Sequence, residues 1–330
     1  MKEEDIRPAK IFEEYLCLSA NDAELCFSKT DKKDICCPAC GSLKNKFEFE
    51  KHGFEYSTCD ECGSLYQTPR PPITAFEQFY NNSISSKYWA EQFFPAVAEA
   101  RRDRIFKPRV KKLIELCKEK NLSPDIVMDV GAGYGIFLEE WKALYPQSRT
   151  IAIEPSNHLS EICRNKGLEV VENIAEKVKG YENVADLVIC FEVLEHVYDP
   201  LSFIETLSTF VKPSGYLMVS TLGVDGFDIQ TLWEKSNSIS PPHHINFISI
   251  DGFKILFERA DLSQVDVLTP GVLDVDIVRN AYKKDPSVLE QNRFVKKIIE
   301  NDSLSLSFQK YLVEEKLSSH TWVFAKKCEN

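Results

Sequence analysis

Val127-Met-Asp-Val-Gly-Ala-Gly-Tyr-Gly-Ile-Phe137 reads as a buried strand, a glycine turn and the start of a helix. Gly131 and Gly133 lack the Cβ atoms that would hold a ligand off the backbone. At such a turn the dinucleotide fingerprint G-x-G-x-x-G seats a pyrophosphate on a helix N-terminus. Here the spacing is G-x-G-x-G, and Asp129 stands two residues ahead of the first glycine. An acid at that place repels a diphosphate. It suits a ligand with a positively charged or donor-rich end.

Outward from this turn, strand and helix patterns alternate, which indicates a parallel sheet covered by helices. Strands are expected at 126–130, 150–153, 168–171, 186–191, 216–222, 265–269 and 321–325, with a helix at 251–260. Leu, Val and Ile recur at helical spacing over roughly 271–318, marking a helical insert before the last strand. The second strand ends Ile151-Ala-Ile-Glu154-Pro155. An acid at that strand end, about twenty residues past the glycines, can take both ribose hydroxyls. Nicotinamide enzymes share that feature, so it does not choose the cofactor.

The choice comes from Asp186-Leu-Val-Ile-Cys-Phe-Glu-Val-Leu-Glu-His-Val-Tyr-Asp-Pro200, a strand running into a loop with Glu192, Glu195 and His196. This segment resembles class I S-adenosylmethionine-dependent methyltransferases, whose fourth strand often ends in E/D-x-L-E-H. Lys212-Pro-Ser-Gly-Tyr-Leu-Met-Val-Ser220 also matches that family's pattern. The resemblance covers about 119–269 and 319–330. It implies an α/β fold, a Rossmann-like seven-stranded sheet with its last strand antiparallel, and S-adenosylmethionine as cofactor. By position it implies that Asp129, Gly131 and Gly133 hold the methionine end, Glu154 the ribose, and Asn173 and Ile174 the adenine. Phe191 and Glu192 would line the cofactor near its methyl group. Arg104 or a neighbour could meet the methionine carboxylate; a solvated helix face is the alternative for those arginines. Some quinone-precursor O-methyltransferases resemble the same segment and are thought to hold a divalent ion there.

Cys37-Pro-Ala-Cys40 and Cys59-Asp-Glu-Cys62 form C-x2-C pairs with eighteen residues between them. That spacing fits a four-thiolate zinc ribbon, in which each knuckle supplies two sulfurs to one tetrahedral ion. A closed site keeps no position for water, so the zinc is expected to be structural. Cys36 adjoins Cys37 and leaves the register open by one residue.

Pro241-Pro-His243-His244-Ile-Asn-Phe247 follows the fifth strand, on the sheet edge where ligands of open α/β folds bind. Histidine is the side chain suited to base chemistry near neutral pH. His244, His243 and His196 are therefore the catalytic candidates. A zinc ribbon before this core resembles deoxysugar C-methyltransferases acting on nucleotide-linked keto sugars. Their Glu-His pair precedes an aromatic-Ser segment, and here His243-His244 precede Phe247-Ile-Ser249. His244 falls on that family's base, while the glutamate is missing. The expected acceptor is a small molecule, a sugar or nucleotide-linked sugar methylated at carbon or oxygen. The enzyme alternatives are an RNA methyltransferase using the ribbon to bind RNA and a quinone-precursor O-methyltransferase. A zinc-ribbon interaction module on a degenerate core is the non-enzyme alternative.

The 330 residues carry a formal charge of −11, which weighs against broad, phosphate-driven nucleic-acid binding. MKEEDIRPAK lacks the pattern of a signal peptide, and no apolar run reaches a membrane span. Eleven cysteines in that setting point to a reducing compartment, hence a cytoplasmic protein with no membrane partner. The expected organisation is a helical segment at 1–32, a zinc ribbon at 33–72, and a helical linker or lid at 73–118. The methyltransferase domain follows at 119–330. The insert at 271–318 should overhang the site, with His320 at its rim.

Overall fold

The computed structural model describes residues 1–329. Helix α1 (Ala9–Phe27) comes first, followed by strands β1 (Asn45–Lys51), β2 (Phe54–Cys59) and β3 (Leu65–Gln67). Helix α2 (Ile73–Asn82) leads into a nearly unbroken helical rod made of α3 (Ile84–Tyr88), α4 (Phe94–Arg101) and α5 (Lys107–Glu119). The pieces of the rod are joined by two π-helical turns, Trp89–Phe93 and Arg102–Phe106. Each π turn sits just ahead of a proline, Pro95 or Pro108. A proline inside a helix has no N–H to donate and crowds the preceding turn, and widening that turn accommodates both effects.

The alternating part then supplies β4 (Ile126–Val130), α6 (Ile136–Leu144), β5 (Arg149–Ile153), α7 (Asn157–Asn165) and β6 (Glu169–Val171). It continues with β7 (Ala185–Phe191), α8 (Pro200–Phe210), β8 (Val211–Leu222), α9 (Phe227–Leu232) and the short β9 (Asn246–Phe247). Helix α10 (Ile250–Arg259) and β10 (Leu262–Leu268) precede α11 (Asp274–Lys284), α12 (Arg293–Ile299), α13 (Asp302–Glu314) and β11 (His320–Lys327). Seven strands form one sheet in the order β10-β11-β8-β7-β4-β5-β6, and β11 is antiparallel to both neighbours. The expected strands recur within a few residues. The largest difference is β8, which starts at Val211 rather than 216 because the Lys212-Pro-Ser-Gly turn continues its ladder.

Apolar clusters cover both faces of this sheet. Val127, Leu187, Met218 and Phe324 pack with α5 and α6 on one side, and Met128, Val188 and Val219 pack with α8 and α10 on the other. The second cluster also takes in Cys37, Cys59, Cys62 and Tyr66. The ribbon segment is thus joined to the main body. Its sheet, β1-β2-β3-β9, takes its fourth strand from residues just past His244. Arg70, only 1% exposed, reinforces the join by donating to the Tyr198 carbonyl at 2.6 Å and Asn246 Oδ1 at 2.9 Å. The 271–318 insert forms its own small core, with Val275, Val278, Leu289, Ile299 and Leu312 packed on Leu232. Buried Asp274 ties its ends by accepting from Ser318 Oγ at 2.7 Å and the Ser319 N–H at 2.8 Å. Among the described residues, no helix is long and apolar enough to cross a membrane.

Candidate active site

A cavity of 380 Å³ opens at the carboxyl ends of β4 and β7. One wall is the glycine turn. Gly133 has φ +55°, and a Cβ added there would meet nothing within 4 Å, so its face stays open to a ligand. At Gly135, φ +67°, a Cβ would lie 2.7 Å from Leu168 Cδ1 and 2.9 Å from Cys163 Sγ. The two glycines therefore serve different ends: Gly133 clears space for a ligand and Gly135 lets α6 pack closely.

Asp129 lines this wall at 2% exposure, and its Oδ1 has no partner. Burial, with the Glu154 charge adding to it, pushes its carboxyl up to about 8. A buried acid in that state gains from a cationic or donor-rich ligand. Glu154 accepts from the Gly133 N–H at 2.8 Å and the Ser156 N–H at 2.9 Å, which fixes it directly behind the turn. Asn173 and Ile174 lie outside the cavity lining, with Ile174 42% exposed on the turn after β6.

Arg104 does not reach this cavity. It pairs with Asp5 at 2.6 Å. The arginines that line it are Arg7, Arg101 and Arg109. Arg101 has no acid partner; its guanidinium lies over the Trp89 and Phe94 rings at 5.9 and 5.4 Å. Burial, with Arg7 and Arg109 nearby, pulls it down to about 9. Arg109 lies over Phe191 and donates to Glu192 Oε1 at 3.1 Å. The basic run at 101–104 was visible in the sequence, but the π turn that rotates Arg109 onto the cavity face was not.

Glu192 sits at φ +56°, a costly conformation for a side chain with a Cβ. Ser220 Oγ, Arg109 and His320 converge on its Oε1. Burial opposes its ionisation, but His320 and Arg109 outweigh it and hold the carboxyl below the ordinary range. His320 accepts from Arg109 and from Trp322 Nε1 on its Nε2, both at 3.1 Å, so its proton is on Nδ1, facing Glu192. Glu192 is thereby turned away from Glu195 and His196, which instead meet His244. Those three offer one ligand-type atom each within 4.8 Å of one another.

The opposite wall holds the histidines. His244 Nδ1 lies 2.6 Å from the Ser238 carbonyl, and a carbonyl only accepts, so Nδ1 carries the proton and Nε2 is the basic atom. The His196 ring is 4.7 Å away, centroid to centroid. Glu195 accepts from Thr221 Oγ1 at 2.7 Å, and burial followed by Glu192 pushes it up to about 7. Burial pulls His244 and His196 down to about 4, so both rings are neutral at physiological pH. His243 is held separately. Ser85 Oγ donates to buried Asp22 at 2.5 Å and lies 2.9 Å from His243 Nε2, which must then be the donor. Asp22 and the wall residue Tyr15 both come from α1, so the first helix is part of the site.

The four ribbon cysteines lie on the far side of this loop. Cys37 and Cys62 sulfurs are 3.6 Å apart, those of Cys40 and Cys59 3.5 Å, and all four lie within 4.8 Å of one another. A tetrahedron with Zn–S bonds of about 2.3 Å places its sulfurs ~3.8 Å apart, so the set fits zinc. Each knuckle is closed by a glycine N–H, Gly41 to the Cys37 carbonyl and Gly63 to Cys59. Cys36 is exposed and lies outside the cluster, which takes in Cys37 instead.

Sheet order, glycine turn and the acids at the ends of β4, β5 and β7 together define a methyltransferase of the S-adenosylmethionine-dependent type. A family model described as a methyltransferase domain matches residues 99–267, just over half of the chain, and the chain belongs to that family. It is 36% identical over 103 residues to the ubiquinone biosynthesis O-methyltransferase of Xanthomonas campestris pv. campestris, covering 29% of this chain and 42% of that protein. The Xanthomonas euvesicatoria pv. vesicatoria counterpart is 35% identical over 103 residues, with the same coverage. The matched stretch is thus less than half the length of these relatives. Among solved structures, the plantazolicin methyltransferase BpumL in complex with a monoazolic desmethylPZN analog and SAH has a similar fold. Its TM-score is 0.50 at 12% identity, over 77% of this chain and 94% of that one.

Proposed function

We propose that the protein transfers the methyl group of S-adenosylmethionine to a small polar acceptor, a sugar or nucleotide-linked sugar, with His244 as general base. The observation that carries this reading is the two-sided cavity. An unpartnered buried acid and an open glycine face lie on one wall, and a tautomer-fixed imidazole lies on the other. In this reading Asp129 takes the ammonium of the methionine end, Gly131 and Gly133 give its backbone room, and Arg101 takes the carboxylate. Glu154 meets the ribose, Asn173 and Ile174 edge the adenine, and Phe191 and Glu192 flank the sulfonium. The acceptor atom attacks the methyl carbon in line with the C–S bond. The sulfur leaves with that electron pair as a thioether, and the acceptor's proton passes to His244 Nε2. Glu195 stabilises the resulting imidazolium, while His243 and His196 position the loop.

The ribbon at 33–72 would hold one structural zinc through Cys37, Cys40, Cys59 and Cys62. Residues 1–32 and 73–118 would wall the acceptor side, and 119–330 would carry the chemistry. A second reading, O-methylation of a quinone precursor, is favoured by the names of the Xanthomonas relatives. Labelled methyl transfer to a panel of nucleotide sugars and catechols separates the two. In His244→Ala we expect transfer to fall by roughly 10²–10⁴ with S-adenosylhomocysteine binding intact. Unchanged transfer in that variant removes His244 as the base.

A further inference from the structure

Asp22, Ser85 and His243 form a buried polar chain that reaches back from the histidine wall into α1. We infer that Asp22 and Ser85 lock His243 into one tautomer, so that its Nδ1 accepts a hydrogen bond from a second hydroxyl of the methyl acceptor. This rests on the reading of the cavity as the methyl-transfer site and extends it to the acceptor's substitution pattern. Asp22 and Ser85 are positioning residues, and His243 alone touches the ligand.

Tyr15, Ser19 and Asp22 are buried on one face of α1 at helical spacing. A helix that only packs against a core buries apolar side chains there. These three serve the histidine loop instead. The Tyr15 ring lies 5.7 Å from that of His243, and Ser19 Oγ donates to the Pro241 carbonyl at 3.4 Å. Asp22 accepts from the Ser85 N–H at 2.8 Å and from Ser85 Oγ at 2.5 Å.

The one hydroxyl proton of Ser85 is spent on Asp22, so its oxygen can only accept from His243 Nε2, 2.9 Å away. Burial, reinforced by the neighbouring His196 and His244, holds this imidazole neutral, well below the ordinary histidine range. A neutral ring protonated on Nε2 has its lone pair on Nδ1. Among the described residues nothing donates to that atom, and the ring lines the cavity. An acceptor shut away from water without a partner costs free energy that a ligand hydroxyl recovers. The Phe79 ring, 4.9 Å off, holds the imidazole against rotation.

His244 Nε2 is a second acceptor in the same cavity. Both rings lie within 6.2 Å of the His196 ring, centroid to centroid, so the pair suits a ligand with two donor groups. One hydroxyl gives its proton to His244 as it is methylated. The other keeps its proton and is held by His243, which decides the oxygen presented to the methyl group. A ketone or ether oxygen at the second position meets a lone pair and is disfavoured.

Nitrogen NMR on the full chain carrying isotope-labelled histidine reads the tautomers, with His243→Gln assigning the resonance. Without ligand, His243 should carry its proton on Nε2. In Asp22→Asn the new amide donates to Ser85 Oγ, the Ser85 proton turns to Nε2, and the ring proton should move to Nδ1. Ser85→Ala should give a mixture of the two. Catechol and methyl glucoside offer adjacent hydroxyls; phenol and methyl 2-deoxyglucoside lack one. With saturating S-adenosylhomocysteine, at least one of the diols should shift Nδ1 while its partner short of a hydroxyl does not. Asp22→Asn should weaken that diol roughly tenfold, about 1.4 kcal/mol, with S-adenosylhomocysteine affinity unchanged. A wild-type proton on Nδ1, a proton unmoved in both variants, or undiminished diol affinity overturns the assignment. So does a shift with none of the four compounds, or an equal shift with the compound short of a hydroxyl. Failure of the wild-type protein to bind S-adenosylhomocysteine counts against the methyl-transfer reading, while the tautomers of the unliganded protein still report on Asp22 and Ser85.

Discussion

At the scale of single residues, Gly133 and Gly135 give opposite signatures to the same substitution. Gly135→Ala drives a methyl into Leu168 and Cys163 and strains a left-handed backbone, which should destabilise the protein by about 2–4 kcal/mol. Gly133→Ala meets no protein atom, so only the backbone term of about 1–2 kcal/mol remains. It should nevertheless lose S-adenosylhomocysteine binding, because its methyl enters the open face. Urea unfolding and calorimetry on the two variants check both halves.

Asp129 makes a prediction in pH. Its folded pKa of about 8 lies above the unfolded value of 3.8, so between them the native state holds a proton that the unfolded chain has released. Stability therefore falls as pH rises through this window. Between pH 6.5 and 8 the Asp129 share of that fall should reach about 1.7 kcal/mol, opposed by the buried histidines, whose unfolded value of 6.5 lies at the lower edge of the window. Asp129→Asn should remove that share from urea midpoints measured across the series, leaving the shares of Glu195 and Asp228 in place; an unchanged slope rejects the buried-acid account. Asp129, Gly131, Glu154 and the histidines were all legible in the sequence, because each sits at a fixed offset from a strand end. Arg101 falls among the neighbours of Arg104 that the sequence offered, whereas Arg109 was not legible as a cavity residue. Its facing depends on two π turns, and helical periodicity counted at 3.6 residues per turn misplaces everything after them.

At the scale of elements, the ribbon and the histidine loop behave as one unit. β9 begins two residues past His244, and Tyr56 of β2 donates to the His244 carbonyl at 2.7 Å. Cys59→Ser should lower bound zinc, measured by elemental analysis, and cut methyl transfer by more than tenfold, a loss of at least ~1.4 kcal/mol in transition-state stabilisation. S-adenosylhomocysteine should still bind, because the glycine turn lies on the other wall. The knuckles were readable from spacing alone. The join to β9 was not, since a two-residue strand leaves no period to detect. Its partner Arg70 stands between Pro69 and Pro71, where nothing local points to burial.

At the scale of the whole molecule, the insert expected at 271–318 forms one side of a chamber of about 500 Å³ beside the cavity, lined also by Ile6 and Arg7, and Asp274 clasps the insert's ends. Asp274→Ala leaves the Ser318 hydroxyl, the Ser319 N–H and the Gln309 amide without their acceptor. We expect a loss of about 2–3 kcal/mol in stability and a rise in acceptor KM. Affinity for S-adenosylhomocysteine should stay the same, and its loss alongside the KM effect speaks against a role confined to the acceptor side. The insert's existence followed from its apolar spacing. That it shares a chamber with the first residues of the chain did not, because no local signal couples positions so far apart.

That pairing has a mechanical consequence. The Glu3 N–H donates to Asp276 at 2.7 Å, Asn280 reaches Glu3 at 3.0 Å, and Lys284 pairs with Glu13 at 2.7 Å. Residues 3–16 thus form a strap in the cavity wall, seated on the body through buried Ile6 and Tyr15 and joined to the insert by these polar ties. Such ties open at far lower free energy than global unfolding. Ligand exchange would then proceed by peeling this strap from α11, with the sheet and glycine turn standing still. Turnover would be paced by a seam between the first helix and the insert, and amide exchange over residues 3–16 should slow when S-adenosylhomocysteine fills the cavity.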